Sequence, residues 1–245
     1  MAKNFYEEFA SIYDEMMEDI DYEQVAAFIT KRIENDCSNL LEVACGTGNV
    51  TEHLVYEDFY ITAFDLSEEM LIGAVNKMRR FKNVEFHTAD MIDFDFKQKY
   101  DACCCCCDGM NYINRDNLNK FFNNVYTHLE DEGWFIFDVS SEYKYRSMDK
   151  SYVYDKDNVF YVWENEIDEE KINMEINFFC QSNESKSDDK YKRITEFQTH
   201  YLHTNENIIA DLKKIGFINI ESFDGYTENE LTEKSIRSTF VCRKA

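Results

Sequence analysis

Apolar positions along the chain first recur at helical spacing and then change period. Phe5, Phe9, Ile12, Tyr13 and Met16 lie three or four residues apart, as do Val25, Phe28, Ile29 and Ile33, so residues 1–36 read as two helices. From Asn39 short strand-like runs take over: NLLEVA (39–44), YITAFD (60–65), VEFHT (84–88), YDACCCCC (100–107) and GWFIFDV (133–139). Helical patterns separate them, NVTEHLVY (49–56), SEEMLIGAVNKMRRF (67–81) and RDNLNKFFNNVYTHLE (115–130). Strands alternating with helices predict a largely parallel sheet with right-handed crossovers. Residues 150–201 differ, with three longer runs, VFYVWENEI, KINMEINFFCQ and YKRITEFQTHYL, split by polar turns. These predict an antiparallel insertion, placed as a lid over the parallel sheet. The first pattern then resumes with a helix capped by Thr204 and stopped at Gly216, followed by strands at 218–224 and 238–244. The expected fold is α/β, a doubly wound, mostly parallel seven-stranded sheet with an inserted antiparallel β lid. Its parts are 1–149, the core with its N-terminal helices; 150–201, the lid; and 202–245, the rest of the core.

Composition narrows the function. The 245 residues carry a net charge of −23, which repels a phosphate backbone and argues against nucleic acid or an anionic membrane as partner. No apolar stretch approaches the roughly 20 residues of a membrane helix, and the N-terminus lacks the pattern of a signal peptide. A cytoplasmic protein with reduced cysteines is expected. The chain has no proline and seven glycines, so turns rest on Asn, Asp and Ser, and each glycine marks a place where backbone freedom is needed. Five adjacent cysteines, Cys103 to Cys107, alternate between the faces of a strand and cannot converge on one metal; they read as a small-residue core strand, with Cys107 at its end.

The chemistry is carried by LLEVACGTGNVTEHL, a strand, a glycine turn and a helix. Gly46 and Gly48 allow a sharp turn and close approach of a ligand. About 20 residues on, Asp65 ends the next strand, where a carboxylate can accept both hydroxyls of a ribose. A dinucleotide fingerprint would require glycine at position 51, which is Thr51. An acid at position 42 is also out of place beside a pyrophosphate but suits a cationic ligand.

The arrangement Glu42-x-Ala44-x-Gly46-x-Gly48 resembles motif I of the class I S-adenosylmethionine-dependent methyltransferases, with Ala44 where that family usually has its first glycine. TAFDLSEEML resembles the family's second-strand acidic motif, and FHTADMIDF its third-strand segment, where Asp90 and Met91 would flank the adenine. FYEEFASIYDEMM is similar to the opening of small-molecule members, in which the later tyrosine, here Tyr13, closes over the cofactor. The resemblance implies a Rossmann-like sheet, S-adenosylmethionine as cofactor and methyl transfer to a small molecule. Cys45, Asn49, Leu66, Met70, Cys107 and Asp108, next to these motifs, complete the expected cofactor set. Asn111, Tyr112, Asp138 and Ser140 follow the fourth and fifth strands and are expected to line the acceptor; Tyr13 and Tyr112 can also stabilise a cation with their rings. Among the histidines, His53 and His128 read as surface or packing residues and His87 as buried structure. His200 and His203 are placed to reach a substrate, and His200, Tyr112 and Tyr13 form the expected catalytic set, with no metal. Two alternatives stay open, a non-catalytic binder of S-adenosylmethionine or its demethylated product, and a nicotinamide-dependent oxidoreductase.

Overall fold

In the computed structural model the alternating runs become one sheet because its central strands are apolar on both faces and each helix packs one apolar face on them. The structure describes residues 13, 14, 16, 17, 19–33, 37–156, 159–181 and 191–245; the expected first-helix positions Phe5, Phe9 and Ile12 lie outside them. Helix α1 (Tyr22–Arg32) leads into β1 (Asn39–Val43), α2 (Asn49–Leu54), β2 (Tyr60–Asp65), α3 (Glu68–Met78), β3 (Val84–Thr88) and β4 (Tyr100–Cys105). After a short 3-10 turn at Gly109–Tyr112 come α4 (Arg115–His128), β5 (Leu129–Ser140) and α5 (Glu142–Ser147). Four long strands follow, β6 (Ser151–Lys156), β7 (Val159–Ile167), β8 (Lys171–Gln181) and β9 (Tyr191–Tyr201), and then α6 (Asn205–Ile215), β10 (Phe217–Asp224) and β11 (Arg237–Lys244).

The main sheet has the order β10-β11-β5-β4-β1-β2-β3. Pairings from β3 to β5 are parallel, and β11 runs antiparallel to both its neighbours. The cysteine strand shows how both faces are filled. Cys103 and Cys105 pack with Leu41, Val43, Phe135 and Phe137 under α4 and α6, while Cys104 and Cys106 pack with Leu40, Ile61 and Ile136 under α1, α2 and α3. A thiol is small enough to let both helical layers close on the central strands. With no proline available, helices start on polar caps: Asp21, Ser67, Asn114, Ser141 and Thr204 each accept a backbone N–H of their helix's first turn.

The second sheet is fully antiparallel, in the order β6-β7-β8-β9. It has four strands where three were expected, and α5 was not expected at all. Along β8, Ile172, Met174, Ile176 and Phe178 are buried, while Asn173 and Glu175 alternate with them on the other face. Met16 joins this inner face beside Ile176 and Phe178, so the N-terminal segment packs against the second sheet. Among the described residues no helix is long and apolar enough to cross a membrane.

Candidate active site

Beyond the carboxyl ends of β1 to β4 lies a cavity of 660 Å³, within the roughly 300–1,000 Å³ usual for small-ligand pockets. One wall comes from the main sheet: Ala44 and Gly46 after β1, Asp65 to Met70 around the end of β2, Ala89 to Ile92 after β3, and Cys107 and Gly109 after β4. The opposite wall is Tyr13, Tyr112, Ile113 and, from β9, Ile194, Thr195, Glu196 and Gln198.

The first wall is held by backbone. Asp65 Oδ2 accepts the Gly46 N–H and Oδ1 accepts the Ser67 N–H, both at 2.9 Å, so one carboxylate ties the glycine turn to the cap of α3. Gly46, Gly48 and Ala44 all have positive φ, at 56°, 76° and 54°. Ala44 thus occupies a left-handed position that favours glycine. At Gly48 a Cβ would also run into Met78 and Ala74 of α3. Asp90 Oδ1 accepts the Ile92 N–H at 2.9 Å and fixes the third loop.

A clamp on Asp14, beside Tyr13, holds the N-terminal segment over this turn. Its carboxylate accepts Thr47 Oγ1 at 2.5 Å and Asn49 Nδ2 at 3.0 Å and pairs with Lys77 at 2.6 Å. Lys77 also donates to the Asn49 amide oxygen.

Several residues expected at the cofactor stand behind the wall instead. Cys45, Gly48 and Asn49 do not face the cavity, and Glu42 is 3% exposed with Oε2 unpaired among the described residues. Burial pushes the Glu42 carboxyl up to about 7, opposed in part by Thr51. Asp108 belongs to a buried ion network with Asp138, Arg237, Lys144 and Tyr226. Arg237 pairs with both carboxylates, Ser140 Oγ donates to Asp108 at 2.6 Å, and Tyr226 donates to Asp138 at 2.7 Å. Burial alone would raise the Asp108 carboxyl, but Arg237, Lys144 and the Ser140 hydroxyl together hold it below the usual range. The network fixes the turn at Cys107 and Asp108, both at positive φ, with the Cys107 N–H donating to Tyr226.

The acceptor-lining set is corrected in three of its four members. Asn111, Asp138 and Ser140 are 0% exposed and consumed internally. Asn111 donates to the carbonyls of Ser140 and Tyr201 and accepts the Ser140 N–H, which stitches the main sheet to the second one. Tyr112 alone lines the cavity, 47% exposed. Both histidines expected to reach substrate are buried. His203 donates from Nε2 to the Ile113 carbonyl at 2.9 Å. His200 lies 2.7 Å from the Tyr145 hydroxyl through Nδ1, and its ring meets Tyr112 edge-on at 4.4 Å. Burial holds His200 down at about 4, so it stays neutral and makes a weak base. His128 is a packing residue that accepts the Phe96 N–H, and His87, expected to be buried, is half-buried with its Nε2 covered.

Glu196 and Gln198, which the sequence reading did not single out, line the β9 wall with Ile194. Period-2 alternation places Ile194, Glu196, Gln198 and His200 on one face of β9, and the exposed Phe197 on the other. Gln198 Nε2 donates to Glu196 Oε1 at 2.7 Å, and burial raises the Glu196 carboxyl.

Comparison with known proteins fits this geometry. Residues 40–133 match the model of a methyltransferase domain. The putative methyltransferase YqeM of Bacillus subtilis is 29% identical over 98% of this chain and 97% of its own. The crystal structure of an S-adenosylmethionine-dependent methyltransferase from Clostridium acetobutylicum is 35% identical, with a TM-score of 0.87 over 98% of this chain and 99% of that one. The chain belongs to the class I S-adenosylmethionine-dependent methyltransferases. A more distant structure, an amino pentose methyltransferase from Micromonospora echinaspora with S-adenosylmethionine bound, shares the fold at 19% identity and a TM-score of 0.75 over 96% of this chain and 97% of that one. The methyltransferase thus keeps the family's strand order and glycine turn, with Ala44 in the left-handed conformation.

Proposed function

We propose that the cavity binds S-adenosylmethionine against its main-sheet wall and directs methyl transfer to a small-molecule acceptor on the β9 side. The observation that carries this reading is the polarity of the lining. Among the described residues it includes four carboxylates, Asp65, Glu69, Asp90 and Glu196, and no Lys, Arg or His. Such a lining suits a cationic cofactor and opposes a pyrophosphate, which disfavours a nicotinamide dinucleotide. Asp65, oriented by two backbone N–H groups, receives the ribose hydroxyls; Leu66, Met91 and Ile92 offer apolar surface for the adenine, and Asp90 accepts its amino group.

Bound there, S-adenosylmethionine supplies an electrophilic methyl group on a sulfonium. The chain's own part is positional. Tyr13, beside the clamped Asp14, covers part of the cavity, the rings of Tyr13 and Tyr112 favour positive charge, and the facing walls line the acceptor up for in-line displacement. Proximity of this kind contributes several kcal/mol without a strong base. A small-molecule acceptor is supported by the size of the cavity, 660 Å³, and the net charge of −23 opposes nucleic acid and anionic membranes.

Thermal unfolding with S-adenosylhomocysteine, S-adenosylmethionine and NAD tests the reading. Ligand at about 100 times its dissociation constant adds roughly 2.7 kcal/mol. Stabilisation by the two sulfur nucleosides is expected, and stabilisation by NAD alone overturns the assignment.

A further inference from the structure

The four carboxylates of the cavity are not equivalent. Asp65 and Asp90 are tied to backbone N–H groups on the cofactor wall, and Glu69 accepts the Ser67 hydroxyl at 3.1 Å beside them. Glu196 stands on the opposite wall, on a different sheet, with the Gln198 amide on Oε1 and no hydrogen bond to Oε2 among the described residues. Two residues along the same strand face, His200 leaves Nε2 buried and without a partner among the described residues, behind the Tyr112 ring that it meets edge-on. A polar acceptor reaching past Tyr112 would complete both groups. Its charge is constrained as well. A carboxylate or phosphate would enter a lining that holds no cationic side chain among the described residues, whereas a cation is drawn in by the acidic lining and by a chain of net charge −23.

We infer that the acceptor is a small amine and that Glu196 is its anchoring carboxylate, with Gln198 orienting that carboxylate. This rests on the cofactor reading above. The amine arrives as an ammonium ion and passes one proton to Glu196, which frees its lone pair. That pair forms the N–C bond to the methyl group as the C–S bond breaks, and the bonding electrons leave with sulfur as an uncharged thioether. The N-methyl ammonium departs, and Glu196 returns its proton to water.

The test uses the full chain, S-adenosylmethionine with a deuterated methyl group, and a defined mixture of small amines, phenols, alcohols and carboxylates at equal concentration. Mass spectrometry of the products is expected to place the label on nitrogen. Label on oxygen, carbon or sulfur only, or no labelled product, overturns the inference. For the best amine, Glu196→Gln is expected to raise KM at least tenfold and Glu196→Asp to restore part of the loss, with S-adenosylhomocysteine affinity within twofold of the parent in both. An unchanged KM in Glu196→Gln overturns the role of Glu196. Loss of S-adenosylhomocysteine binding by the parent chain itself would instead overturn the underlying cofactor reading.

Discussion

The two walls of the cavity are built on different principles. On the main-sheet wall, acidic side chains are fixed by backbone: Asp65 takes two N–H groups from turns on either side of it, and Asp90 takes one. On the β9 wall, Glu196 is held by another side chain, Gln198, and its position follows only from strand register. A wall of backbone turns keeps one shape as neighbouring residues change, and suits a ligand common to many enzymes. A wall made by alternate residues of a strand can be rewritten one side chain at a time, and suits the partner that distinguishes one enzyme from its relatives. The second wall also hangs on the first through few side chains, Asn111 among them.

Breaking the first wall has the largest expected effect. Asp65→Ala removes the proposed ribose acceptor and two charge-assisted backbone bonds, each worth about 1.5–3 kcal/mol. Calorimetry should show S-adenosylhomocysteine affinity falling at least about 100-fold, and urea unfolding a stability loss of about 2–4 kcal/mol. Parent-like affinity would remove Asp65 from the site.

The buried titratable groups sharpen the contrast, because each wall hides one with the opposite sign. Glu42, behind the cofactor wall, is pushed up to about 7, so the folded state retains a proton that the unfolded chain gives up above its ordinary 4.5. Its contribution is intact below that value and declines as pH rises through 7, by up to about 3 kcal/mol. His200, behind the acceptor wall, is held at about 4 against an ordinary 6.5, so the unfolded chain binds the extra proton. Its contribution is intact above 6.5 and declines as pH falls toward 4, again by up to about 3 kcal/mol. The two windows overlap and the slopes oppose each other. Urea unfolding across pH 4–8 should therefore show Glu42→Gln losing, relative to the parent, a decline between pH 4.5 and 7, and His200→Phe losing a rise between pH 4 and 6.5; variants that keep the parent's profile would refute these assignments.

Gly48→Ala follows, with a stability loss of about 1–3 kcal/mol from the positive φ and the collision with α3. The smallest effect is expected from Lys77→Met. Its partner Asp14 is partly exposed, so the lost ion pair contributes under about 1 kcal/mol to stability. Loosening the segment that carries Tyr13 should nevertheless weaken S-adenosylhomocysteine binding severalfold, read from the same calorimetric titration.

The same division explains what could be read from the sequence. Strands at 60–65 and 84–88 and the glycine turn were legible because pattern, turn and acid lie within a few residues of one another. Asn111, Asp138 and Ser140 were misread because a residue at a strand end looks the same in sequence whether its side chain turns toward a ligand or into the protein. Glu196 was invisible for the converse reason: alternation gives two faces to β9, and only the packing of one sheet over the other decides which is inner. Strand β6 escaped as a short edge strand whose Tyr152 and Val153 stay exposed, and α5 escaped because it spans only six residues.

Cys107, the last of the five adjacent cysteines, stands in the turn after β4 at the cavity wall, where the proposed cofactor is an alkylating agent. A thiolate there would compete with the acceptor and end in methylation of the enzyme by its own cofactor. Burial first, and then the negative charge of Asp138, push this thiol far above its ordinary range, and burial does the same to Cys103 and Cys105 in β4. A thiol at the wall of the proposed methyl-transfer site is thus kept protonated, and the wall is insulated from the alkylating chemistry proposed beside it.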